Sequence, residues 1–278
     1  MSSIKKISTF VALIWVIETQ ALYSSPFVLP PGQSRIATDL EYSFSDSIIL
    51  DPDDDEVPID RTSNRLLVGY GYGLKKQFEL SASAQIAAIT SEHRVLKTSD
   101  EYSGLSEASA GLKAVLFQVE GFSIASSLEF LATGSYDRDK VVAPGTGENG
   151  LRFKVSGGAY SGQFYSGMEL SYINHLGDKA SDKLSYTLGA YYLLEKVSIG
   201  VFHRALESVN GNDYHVDTSG QKNFSGVNEK YRSTGITVAL TLDLWQLAIS
   251  YQAKQKPLQY TDNSKSTALS VRYYFKPE

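Results

Sequence analysis

The sequence predicts an all-β fold, a transmembrane antiparallel up-and-down β-barrel of about 12 strands, on three observations. Apolar and polar residues alternate with a period of two from Arg35 to Phe275, the period at which a strand shows one face to each side. Long and short connections alternate strictly between the segments, as they do where tight turns gather at one end of a barrel and loops at the other. Aromatic residues collect at both ends of the outward stripe, with aliphatic and small residues between them. Two membrane interfaces demand that sorting, and a soluble sandwich has no use for it.

Taken in order, residues 1–21 read as a signal peptide. Lys5 and Lys6 precede the apolar run from Phe10 to Ile17, and Thr19, Gln20 and Ala21 follow as a small-x-small end. That run is too short to cross ~30 Å of hydrocarbon as an anchor. Cleavage after Ala21 takes away Lys5, Lys6 and Glu18 and moves the formal charge from −5 to about −6. Residues 22–33 hold Pro26, Pro30, Pro31 and Gly32 and form an extended, non-helical periplasmic lead-in.

The barrel then occupies 34–275. In its first strand Ile36, Thr38, Leu40, Tyr42 and Phe44 alternate with Arg35, Ala37, Asp39, Glu41 and Ser43; in its last, Thr267, Leu269, Val271, Tyr273 and Phe275 alternate with Ala268, Ser270, Arg272 and Tyr274. Short turns are expected at 75–77, 119–121, 161–163, 195–196 and 243–244, and long loops at 46–64, 90–104, 134–150, 174–182, 207–228 and 254–265. This order gives an even strand count and puts both termini in the periplasm. Residues 276–278 are a C-terminal extension behind an aromatic-ended strand similar to the signal read by the barrel assembly machinery.

The outward stripe defines the lipid-interface girdle. Tyr70, Tyr72, Phe78, Phe122, Phe164, Tyr192, Trp245, Tyr273 and Phe275 lie at the short-turn ends, and Tyr42 and Phe44 at the loop ends. Outer-membrane lipid and lipopolysaccharide are the partners such rings meet. The inward stripe is rich in small residues, among them Gly71, Gly73, Gly158, Gly167, Gly189 and Gly200. Small side chains leave space for a narrow passage or a ligand cavity, or else ease barrel curvature.

Charges of both signs share this inward face, so no strong ion selectivity is expected. Pairing across the lumen is the structural expectation for them. The functional expectation makes Arg35, Arg65, Glu107, Lys113, Glu129, Arg152, Lys154 and Arg272 contacts for a passing solute, with Tyr165 and Tyr191 as flat surfaces for a ring.

A mildly acidic chain without a basic patch gives no footing for nucleic acid, and without cysteine it has no disulfide framework or thiolate metal site. The acidic run Asp51, Asp53, Asp54, Asp55, Glu56 and Asp60 fails the EF-hand pattern, with Glu56 where glycine belongs and Thr62 at the bidentate position. It reads as a solvated external loop, and no metal or cofactor is assigned. His93, His175 and His215 fall in expected loops. His203 with Ser208 faintly echoes an interfacial hydrolase, too weakly to predict an enzyme.

The stretch from Leu29 to Ile36, the alternating strand and acidic loop after it, and the run from Arg65 to Leu80 resemble the bacterial family of outer-membrane transporters named for the phenol meta-degradation pathway. The resemblance covers mainly the first ninety or so residues and implies a barrel assisting uptake of small compounds, aromatic or hydrophobic ones among them. The expectation is thus a monomeric outer-membrane channel for passive solute uptake. The alternatives are a closed barrel presenting its loops to a partner and, behind both, an interfacial lipid-modifying enzyme.

Overall fold

The structure is a computed structural model that describes residues 26–49, 56–94, 97–136, 143–145, 147–177, 180–210, 229–255 and 264–275. Among these, twelve antiparallel strands follow one another: β1 (Ser34–Ile49), β2 (Glu56–Lys75), β3 (Phe78–His93), β4 (Thr98–Val119), β5 (Phe122–Thr133), β6 (Gly150–Ser161), β7 (Phe164–His175), β8 (Lys183–Leu193), β9 (Val197–Ser208), β10 (Lys230–Leu242), β11 (Trp245–Lys254) and β12 (Lys265–Phe275). Each pairs with its neighbours in sequence, and β12 returns to β1. The closing seam runs without a shift from Ser34 opposite Phe275 to Phe44 opposite Lys265. No strand edge is left open, which a sheet in hydrocarbon requires.

The alternation drives this closure. Outward side chains are apolar and bare: Leu40 is 50% exposed, Ile86 50% and Ile249 55%. In water such a belt would forgo about 25 cal/mol for every Å² of apolar surface left wet, and its extent marks a lipid-facing surface. At the short-turn end Tyr70, Phe78, Phe164, Tyr192, Trp245 and Phe275 are exposed, while Tyr72, Phe122 and Tyr273 are half-buried. The reason is mutual packing, with Trp245 and Phe275 4.6 and 4.7 Å from the Tyr273 ring and Phe117 6.2 Å from Phe122. Tyr42 and Phe44 stand exposed toward the loop end.

Five tight connections join the strands where the sequence places them, between β2 and β3, β4 and β5, β6 and β7, β8 and β9, and β10 and β11. Two of the expected long loops are largely strand instead. β1 runs on to Ile49 and β2 starts at Glu56, inside the expected 46–64 loop; β3 ends at His93 and β4 starts at Thr98, inside 90–104. These extensions lack the outward apolar stripe because they rise past the lipid, so their periodicity is polar. Backbone pairing, the Thr62 to Thr90 hydroxyl bond of 2.6 Å and an Arg94 to Asp60 fork of 3.0 and 2.5 Å hold them together in water.

A bulge at Ser106 shifts the register between β3 and β4. It flips the parity above it, so Leu105 faces out and is exposed while Tyr102 turns in beside buried Ala87 and Ile89. The expected signal peptide (1–21), Asp51 and Asp53 to Asp55, His215 and the C-terminal extension (276–278) lie outside the described residues.

The lead-in takes a course the proline spacing alone did not give. Gln33 N donates to Pro30 O at 3.0 Å, and Gly32 has φ +78°. Pro31 and Gly32 are therefore the central pair of a type II turn, with proline at the position of fixed φ and glycine where φ must be positive. The turn is pinned to β2 by Gly32 N to Gly73 O, 2.8 Å, and Gly73 N to Gln33 O, 3.0 Å. It points residues 26–30 up into the barrel at its short-turn end, not away from it.

Candidate functional site

The site is the lumen, and its short-turn end is filled by the chain's own N-terminal segment. Leu29 is 0% and Phe27 6% exposed. The segment is held by its main chain. Glu79 Oε2 accepts from Leu29 N at 3.0 Å, Lys113 Nζ donates to Phe27 O, and Ser123 Oγ donates to Pro26 O at 3.2 Å. Arg35 Nη2 completes the anchor on the other oxygen of Glu79, 3.1 Å away.

The inward small residues, read from sequence as space, are where this filling goes. A side chain on Gly73 would overlap Pro30 O, and one on Gly71 would come within 3.2 Å of Leu29 Cδ1. Gly158 and Gly167 sit beneath the ring of Tyr165, Gly189 and Gly200 beneath that of Tyr191, and Gly235 beneath that of Phe202. Glycine in these strands admits a ring or a backbone that a Cβ would exclude. Tyr165 and Tyr191 accordingly lie in a buried cluster with Phe27, Leu193 and half-buried Tyr160, below the open part of the lumen.

Above the segment the lumen opens into a cavity of about 520 Å³ whose lining includes Arg35, Arg65, Glu107, Lys113, Glu129, Arg152, Lys154 and Arg272. The structure brings the β4, β5 and β6 charges into one network. Arg152 bonds Glu129 Oε2 at 3.1 Å and Glu107 Oε1 at 3.3 Å, and Lys154 bonds Glu129 Oε1 at 2.6 Å. Glu129 carries the network, since both cations meet on it. On the opposite wall β1 and β2 set Glu41 directly across from Arg65. Arg65 Nε and Asp39 Oδ1, both shielded from solvent, have no hydrogen-bond partner among the described residues.

Phe27 and Leu29 were invisible as site residues by motif. The signal was there in physical terms, because the apolar trio Phe27-Val28-Leu29 ahead of a Pro-Pro-Gly turn has no place in water and none on the lipid face. Asp39, Glu41 and Arg204 also line the cavity; their inward parity was legible, but not their shared height.

The loop end is tied into a rim around Asp182, just before β8. Its carboxylate accepts from Tyr172 Oη at 2.8 Å, Asn174 Nδ2 at 3.2 Å, His175 N at 2.9 Å and Asn210 Nδ2 at 3.3 Å. Lys183 and Glu229 add an ion pair of 2.5 Å. Burial pushes the Asp182 carboxyl up, but the donors from His175, Tyr172, Asn174 and Asn210 outweigh it and hold the group below its ordinary range. Its stabilisation is thus complete above the unfolded carboxyl value near ~3.9 and is lost as pH falls through the lower folded value. Asp182→Ala is expected to remove about 2 kcal/mol of local stability, read as faster hydrogen exchange of the 174–177 and 180–183 amides at neutral pH. The wild-type rim is expected to reach the same state only in acid below the ordinary carboxylate range.

His203 Nδ1 lies 3.1 Å from Thr234 Oγ1 on the outward side of β9. Ser208 faces the other way, bonded to Ser181 Oγ at 3.1 Å and Glu229 N at 2.9 Å. Five residues apart on one strand, the two occupy opposite faces, so the faint hydrolase echo is not assembled. Among the described residues no acidic or histidine cluster of metal-binding geometry occurs.

No protein-family model matches the chain, and no curated protein sequence does. Solved structures do. The COG4313 outer membrane channel from Pseudomonas putida F1 superposes with a TM-score of 0.72 at 13% identity, over 91% of this chain and 98% of that one. A KdgM porin gives 0.51 at 12% identity over 86% and 99%, and a NanC porin 0.53 at 7% over 86% and 98%. At such identities the likeness is one of fold. Among the described residues the chain is a closed twelve-strand antiparallel barrel, the fold it shares with these proteins.

Proposed function

We propose that this protein is an outer-membrane channel through which small solutes pass passively, held closed at its short-turn end by residues 26–30 until that segment withdraws. The observation that carries the reading is the charged cavity of about 520 Å³ ending on a segment bound through its main chain. A barrel filled for stability alone would be packed by wall side chains; here Tyr165, Tyr191 and Leu193 of the wall are joined by a strand-free tether on a turn. The similarity in fold to a channel and two porins supports solute passage. The resemblance around Arg65 to Leu80 supports small organic compounds as the class. A cleaved signal peptide and outer-membrane placement, with the short turns toward the periplasm, complete the proposal.

The same blocked lumen favours a second reading, in which the barrel stays shut and the loops bind a partner. Single-channel recording of the refolded protein in a planar bilayer, over a range of salt, separates the two. Discrete steps that scale with salt are expected. A silent bilayer, with protein that still shows a folded, heat-modifiable band on a gel, would overturn the channel reading in favour of the second.

A further inference from the structure

We propose that the recess formed by Tyr160, Tyr165, Tyr191 and Leu193 is a binding site for the ring of an aryl-alkanoate solute, that Phe27 is its resident occupant, and that the solute displaces Phe27. The consequence for opening rests on the channel reading above; the site itself does not.

The recess is built into the wall for rings. A Cβ on Gly158 would fall 2.7 Å from Tyr165 Cε2, one on Gly167 2.7 Å from Tyr165 Oη, and one on Gly189 2.7 Å from Tyr191 Cε2. With Gly200 these glycines, drawn from β6 to β9, let two tyrosine rings lie back against the sheet. Tyr165 is 5.8 Å from Tyr191 at 34° and 4.9 Å from Tyr160 at 35°, and Phe27 stands 5.9 Å from Tyr160 at 38°. These are spacings at which aromatic rings attract one another beyond their burial.

Phe27 is the one member of the group that arrives on a tether. Leu29 N, Phe27 O and Pro26 O are held through the main chain, and the Phe27 ring is the aromatic group that the segment places in the recess. The turn at Pro31 and Gly32, bonded to Gly73 at 2.8 Å and followed by the 3.0 Å bond from Gly73 N to Gln33 O, lies just after residues 26–30 and supplies the hinge.

The second feature of the ligand comes from Lys113, whose Nζ holds the carbonyl oxygen of Phe27. In phenylalanine two carbons separate the ring from the carbonyl. A 3-phenylpropanoate has the same skeleton with a carboxylate in the carbonyl's place, and a carboxylate is the better partner for an ammonium group. Such a solute satisfies the tyrosine recess and Lys113 together. It competes with a ring held at a local concentration on the order of millimolar, so its apparent affinity is reduced by the fraction of time the seat is vacant.

The test measures binding and opening separately. Equilibrium dialysis of 3-phenylpropanoate against the mature protein in nanodiscs, with empty nanodiscs as reference, is run on wild type, Phe27→Ala and Phe27→Leu. The expected result is binding about tenfold tighter to either variant than to wild type, and about fivefold weaker for 3-cyclohexylpropanoate, which keeps the charge and loses the ring. Phe27→Leu keeps an apolar anchor should the alanine variant fail to fold. In the bilayer, 3-phenylpropanoate is expected to raise the open fraction of wild type and to leave the variants unchanged. If folded variants bind no more 3-phenylpropanoate than empty nanodiscs, or bind the cyclohexyl acid as well, the proposal falls even where they conduct. If they bind as expected while every form stays silent, the site stands and the channel reading falls.

Discussion

Removing residues 22–30 is expected to raise the open fraction on the order of tenfold with the step size unchanged, because a lumen's current is set by its narrowest section and the described part of that segment fills it. Against the segment the wall carries Gly71 and Gly73, where a Cβ would meet Leu29 and Pro30, so no wall side chain at these two positions takes the segment's place once it is gone. The barrel is expected to survive. Glu79 keeps Arg35 at 3.1 Å, so its carboxylate is not left alone, and the β1 to β12 seam begins only at Ser34. Heat-modifiability on a gel checks folding, and the bilayer checks the open fraction. An unchanged open fraction would mean that ions do not leave through this end.

Glu129 is where a single substitution has the largest effect on the cavity. Its two oxygens hold Arg152 and Lys154, and its side chain is only 13% exposed. Glu129→Gln keeps the shape and removes the shared anion, leaving Glu107 to hold Arg152 and taking away the 2.6 Å partner of Lys154, which then faces the neighbouring Glu169. The permeability ratio of chloride to potassium is expected to rise about fivefold, read from the reversal potential across a KCl gradient. Breaking a shielded ion pair from one side also costs about 3 kcal/mol, so the unfolding temperature on the gel is expected to fall. Substituting Glu107 removes only the 3.3 Å contact and is expected to do less.

The barrel was legible because its cause is local and repeated. Each outward residue in the apolar belt of β1, β3 or β11 meets lipid, so the demand is printed every second residue, and the five tight turns follow from where the stripe reverses. Where lipid stops, the legibility stops. The tops of β2 and β3 are paired in water by Thr62, Thr90, Asp60 and Arg94, contacts between residues about thirty apart that no period announces. The inward parity of Arg65, Glu107 and Arg152 was legible for the same reason as the stripe. Which acid meets which base depends on stagger between strands, and so Glu129 emerges as the shared partner only in three dimensions.

The small residues show the deeper limit. Gly73 and Gly200 look alike in sequence, yet one clears a path for the main chain at Pro30 and the other for the ring of Tyr191. A glycine declares that something is close, and the partner is supplied by the fold. For the lead-in, the Pro-Pro-Gly turn was visible, but its direction was set by the bonds to Gly73.

The measurement that tests the central claim most directly uses the absence of cysteine from the chain. Leu29 Cδ1 lies 3.2 Å from where a side chain on Gly71 would begin, so a Leu29→Cys, Gly71→Cys pair places one thiol on the segment and one on the wall it touches, and oxidation is used to bridge them. Conductance of that double variant is recorded before and after reduction of a disulfide verified by mass. The account predicts silence while the segment is locked in the lumen and wild-type steps once it is released. Wild-type steps from the locked protein would contradict it.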